Sequence, residues 1–115
     1  MSINSNNAIY GYLTKNIFVD SNIDLYGFES GKSYISNNTS NITFTLHNSI
    51  PEGWCISVTQ YSNKYTIFST INGTLHNFYN HNATGGLYAE VGLKCIENTT
   101  GNNPIINLFG ITSQV

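Results

Sequence analysis

The stretch Gly31-Lys-Ser-Tyr-Ile-Ser-Asn-Asn-Thr-Ser-Asn-Ile-Thr-Phe-Thr-Leu-His-Asn-Ser-Ile-Pro-Glu-Gly-Trp54 decides the fold class. Inside it Ile42, Phe44 and Leu46 alternate with Thr43, Thr45 and His47. Successive side chains leave a pleated backbone on opposite faces, so this period of two predicts a half-buried strand. Pro51 and Gly53 end that pairing, and a second alternating run opens at Trp54.

Working outward from this block, the punctuation stays regular. Candidate strands are 33–36, 42–47, 54–61, 64–69, 73–78, 87–96 and 104–111, separated by clusters rich in Asn, Gly and Ser. Asn72-Gly73 is a tight-turn signal, because both residues tolerate positive φ. Short strands at this spacing, with no helical periodicity, predict an all-β fold: a small β-sandwich, jelly roll or barrel. No internal repeat is visible. Residues 1–25 read differently, as short extended pieces (residues 9–14, 17–19 and 23–25) with little to bury alone. They are expected to be an N-terminal anchor or a strand lent to a neighbouring subunit, leaving 26–115 as the β-sandwich domain.

Composition narrows the function. Only 9% of residues are charged, against roughly 25% in an average soluble domain. Asparagine alone outnumbers all charged residues, and arginine is absent. A net charge of −2 without any Lys/Arg cluster argues against nucleic acid, since phosphate binding needs concentrated cations. No apolar run is long enough to span a membrane as a helix, and the N-terminus has no secretory-signal pattern, so no membrane partner is expected. Cys55 falls opposite the inward set Trp54, Ile56 and Val58. Cys95 falls inward with Leu87, Ala89, Val91 and Leu93. One thiol out and one in predicts two free cysteines.

Several local motifs follow one another in a fixed order: Ser30-Gly31-Lys32 before a short strand, Ile42-Thr-Phe-Thr-Leu46, and Ile50-Pro-Glu-Gly-Trp54 leading into Ile56-Ser-Val-Thr-Gln60. Ile71-Asn-Gly-Thr-Leu75, Gly86-Leu-Tyr-Ala-Glu-Val-Gly-Leu-Lys-Cys95 and Ile106-Asn-Leu-Phe-Gly110 follow. Together, over residues 22–111, they resemble a small β-domain of bacteriophage tail fibres, tailspikes and related virion appendages. Ile106 stands where that family closes on a Trp. The resemblance implies a viral structural protein: a homotrimeric fibre, decoration or attachment domain on a capsid or tail. It is expected to be made in the host cytoplasm and located in the virion, touching copies of itself, another virion protein or a host-surface glycan.

The residues themselves offer little for catalysis. His76 and His81 miss the spacing of compact metal motifs and have no Cys, Asp or Glu beside them. The six acids are scattered, leaving Glu52 and Glu90 as the one conceivable glycosidase pair. A non-enzyme with no metal or cofactor is expected. Aromatics are the stronger signal: Tyr61-Ser-Asn63-Lys-Tyr65 and Phe78-Tyr79-Asn-His81-Asn82 set rings beside amides at predicted loops. These are candidate contacts either to a glycan, in a carbohydrate-binding module without catalytic activity, or at a subunit interface. Trp54, opening a strand at the Pro-Gly turn, is expected to anchor the core or an interface.

Overall fold

The computed structural model describes residues 15–115. The earlier part of the expected N-terminal segment, including residues 9–14, lies outside the described residues. In chain order the strands are β1 (Asn16–Val19), β2 (Ile23–Leu25), β3 (Ser33–Ser36), β4 (Ile42–Leu46), β5 (Cys55–Gln60), β6 (Thr66–Thr70), β7 (Thr74–His76), β8 (Ala83–Thr84), β9 (Glu90–Glu97), β10 (Ile105–Gly110) and β11 (Thr112–Ser113). A single 3-10 turn, Gly27–Glu29, lies between β2 and β3. Among the described residues no helix is long and apolar enough to cross a membrane.

The strands form two sheets. One has six strands in the order β1-β3-β5-β9-β10-β7, the other five in the order β11-β8-β6-β4-β2. From β1 to β6 the chain alternates between sheets, and each strand lies parallel to the one before it in the same sheet. Ile17 aligns with Tyr34 and Tyr34 with Val58. Ile23 aligns with Phe44 and Phe44 with Phe68. The first part of the fold is therefore a stack of three two-strand coils. Strands β8 and β9 then close the stack antiparallel to β6 and β5.

This pairing refines the expected sandwich. A jelly roll is antiparallel throughout, whereas here β1, β3, β5 and β2, β4, β6 run parallel within their sheets. The stacked residues are offset by 17, 21 or 24 positions. That irregular step explains why no repeat is visible in the sequence. Asn72, at φ 55, does make a tight bend, but it carries the chain from β6 in one sheet to β7 in the other. It is not a hairpin.

The core fills the space between the sheets. Strand β4 shows the predicted alternation, with Ile42, Phe44 and Leu46 buried and Thr43 and Thr45 half-exposed. Phe44 meets Tyr34 of the opposite sheet edge-on, with ring centroids 5.6 Å apart, and Phe68 of its own sheet at 5.9 Å. Such edge-to-face pairs contribute about 0.5–1.5 kcal/mol each beyond area burial. Trp54 is 1% exposed and its indole N–H donates to the Tyr26 carbonyl at 2.9 Å, so it serves the core of this chain. Cys95 is buried, Cys55 is exposed, and both are free.

Two expectations need correction. The boundary at residues 25/26 is not a structural break. β1 pairs with β3, β2 pairs with β4, and Leu25 is fully buried in the common core. The short pieces bury little alone, but stacked on the next coil they complete its apolar layer. Leu87 was expected inward and is exposed instead. Gly86 (φ 140) and Tyr88 (φ 70) take the left-handed side of backbone space, so the inward alternation starts only at Ala89.

Candidate functional site

The outer face of the six-stranded sheet carries an unusual row of side chains. On β5 the buried Ile56 and Val58 leave Ser57 facing out. On β9 Val91 and Leu93 do the same for Gly92, and on β10 Ile106 and Leu108 send Phe109 outward. The strand registers align these positions: Asn16, Ser33, Ser57, Gly92 and Phe109 are successive partners across β1, β3, β5, β9 and β10.

The row works as a unit because position 92 is glycine. A Cβ there would stand 2.3 Å from Cζ of Phe109. Without it, the ring lies down across β9 and covers the strand, while the residue as a whole stays 51% exposed. A trough of about 580 Å³ opens beside the ring, with Ser33, Ser57 and Gly92 in its floor and Lys32 and Glu90 in its lining. A second hollow, of about 380 Å³, lies on the other side of Phe109 against His76, Phe78 and Asn107. Ser33 Oγ donates to Asn16 Oδ1 at 2.9 Å. Among the described residues, the Asn16 amide N–H groups and the Ser57 hydroxyl make no hydrogen bond, so they are available to a ligand.

The residues singled out from sequence fall into separate groups. Tyr61 and Tyr88 pair at 5.6 Å between ring centroids. Phe78 packs edge-on against Tyr79 at 4.9 Å, and Tyr79 lies 5.4 Å from His81. That second group is held by Asn77, whose Oδ1 accepts from the Tyr79 and His81 amides at 2.8 and 3.0 Å. Asn77 Nδ2 donates to the Leu108 carbonyl at 3.0 Å, which ties the loop to β10. The His81 ring is fixed in turn by Thr112 Oγ1, 2.9 Å from Nδ1. Phe78, 92% exposed, is the most exposed large apolar side chain among the described residues. Tyr65 is half-buried and anchored by its amide to Asn41 Oδ1 at 2.9 Å, while Asn63 is exposed in the loop between β5 and β6.

Sequence reasoning missed Gly92, Phe109, Ser33, Ser57 and Asn77. Two of these were signalled: a lone Gly inside the alternating Val91–Leu93 run marks a close approach, and Phe109 has outward parity between buried neighbours. The pairing of Ser33 with Ser57 had no such signal, because alternation reveals a face and not a neighbour.

Chemistry based on converging acids finds no support. Glu90 pairs with the Thr59 end of β5, whereas Glu52 precedes Gly53, whose amide donates to the Cys95 carbonyl at the far end of β9. Five residues of strand separate those ends by about 17 Å, beyond the spacing of a glycosidase pair. Among the described residues no three His, Cys, Asp or Glu side chains converge as a metal site. His47 turns out to be half-buried, its ring 4.1 Å from that of Tyr26.

No protein-family model, curated protein or solved structure matches this chain.

Proposed function

We propose that this chain is a non-catalytic contact domain of a viral appendage, a fibre, decoration or attachment module that assembles as a homotrimer on the virion. The observation that carries this reading is the set of large aromatics left outside a nearly uncharged fold: Phe78 at 92%, Phe28 at 76%, and Tyr88 and Phe18 at 67% exposure. Aromatic side chains are enriched where proteins meet a partner, and these rings are available for such contacts. Sedimentation velocity on the full chain at micromolar concentration is expected to give a trimer, and a stable monomer would remove the assembly. Mass spectrometry of purified particles tests the virion setting, with the chain expected among their proteins.

A second reading, carbohydrate binding without hydrolysis, is favoured by the loop at residues 77–82. There Asn77 pre-arranges rings beside amide groups, which lowers the ordering cost of recognising a polar ligand with apolar faces. A glycan array with no binder counts against it, and undiminished binding in both Tyr61→Ala and Tyr79→Ala would take the site away from these loops.

A further inference from the structure

We infer that the row Asn16–Ser33–Ser57–Gly92–Phe109 is a binding rail for an extended, uncharged polysaccharide lying across the strands of the six-stranded sheet. The inference rests on the carbohydrate reading and moves its principal site from the loops to the sheet face. Three observations support it. First, the rail is built from one aligned residue on each of five adjacent strands, so its groups recur at the strand spacing of about 4.8 Å, close to the rise of one sugar unit in an extended chain. Second, the rail is chemically asymmetric. Phe109 offers an exposed ring, laid flat by Gly92, against which the apolar face of a pyranose stacks. Beyond it the Ser57 hydroxyl and the Asn16 amide N–H groups, which make no hydrogen bond among the described residues, face sugar hydroxyls, with Ser33 orienting Asn16 at 2.9 Å.

Third, the floor is low where a chain has to pass. Ser33, Ser57 and Gly92 are small, and the trough beside Phe109 measures about 580 Å³. Its lining carries one cation and one carboxylate, Lys32 and Glu90, and Lys32 is already engaged by Glu29 at 2.7 Å. That balance selects a neutral chain over a polyanion. The four strand spacings of the rail cover about 19 Å, so affinity is expected to rise with oligosaccharide length and level off near four units.

Calorimetric titration of the full chain with cellohexaose, xylohexaose, mannohexaose and chitohexaose, with hexagalacturonic acid as the charged comparison, tests this. At least one neutral hexamer is expected to bind, with Phe109→Ala weakening it about tenfold or more, as removal of a stacking ring does elsewhere. Ser57→Leu, which fills the trough from an outward strand position, is expected to abolish binding while circular dichroism stays unchanged. Tyr79→Ala is expected to have little effect. Binding that survives Phe109→Ala and Ser57→Leu but is lost in Tyr79→Ala overturns the rail and leaves the loop-based carbohydrate reading standing. No binding by any neutral hexamer at millimolar concentration, or preference for the charged hexamer, overturns the rail. So does Ser57→Leu converting an oligomer to monomer without any sugar response, which would give this face to a second copy of the chain.

Discussion

Thr66 lies on β6 with its hydroxyl buried and, among the described residues, unpartnered. Its neighbour Thr84 is bonded both ways: Oγ1 donates to Gln60 Oε1 at 2.5 Å and accepts from the Thr66 amide at 3.0 Å. The two threonines should therefore respond in opposite ways to the same change. Thr66→Val keeps the shape and removes an unpaired polar group, and is expected to leave stability unchanged or raise it by up to about 1 kcal/mol. Thr84→Val strands Gln60 and the Thr66 amide and is expected to cost about 1–3 kcal/mol. Urea denaturation of both variants checks the pair, and a strongly destabilised Thr66→Val would mean its hydroxyl has a partner. Tyr34 supplies a pH dependence at the same scale. Its hydroxyl is pushed up to about 12, first by burial and then by the Glu29 carboxylate beside it. The folded state holds this proton after the unfolded chain has lost it near 10.0. Stability from Tyr34 is therefore intact below pH 10 and is lost as pH rises toward about 12. Urea midpoints followed through that window are expected to fall more steeply for the wild type than for Tyr34→Phe.

At the scale of elements, the loop at residues 77–82 depends on one side chain. Asn77→Ala removes the acceptor for the Tyr79 and His81 amides and the tie to Leu108. Hydrogen exchange at those two amides is expected to speed up by at least about tenfold, the equivalent of one lost hydrogen bond of roughly 1.4 kcal/mol, with the sheets unaffected. Strands with clean alternation were legible in the sequence: 33–36 matches β3 to the residue, and β4, β5 and β10 lie within the runs marked out by their apolar residues. The two-residue strands β8 and β11 were not, since two positions are too few to show a period. Nor was the parallel pairing, because alternation fixes which face is buried and leaves the neighbour open. The Phe78–His81 cluster was visible as aromatics among amides. The rail was hidden, because its members are brought together by register from five different strands.

For the molecule as a whole, low charge has a measurable consequence. Among the described residues the ion pair is Lys32–Glu29 at 2.7 Å, with the lysine partly exposed. Screening therefore has little to act on, and the thermal midpoint is expected to move by no more than a few degrees between about 0.05 and 1 M sodium chloride. A large salt-dependent loss of stability would point to charge interactions beyond those among the described residues. The sheets themselves carry the load, with the three parallel coils and the antiparallel strands that close them sharing one apolar layer.

That topology also sets a schedule. As a growing chain is made from its N-terminal end, β3 and β4 find the strands they lie against already synthesised, and β5 and β6 follow in turn. Strand β7 does not: it sits at the far rim of the six-stranded sheet, and its partner there, β10, is translated only later. A chain stopped before Ile105 would hold β7 without the strand it pairs with, so a strand made late, β10, is the one that completes this rim of the sheet.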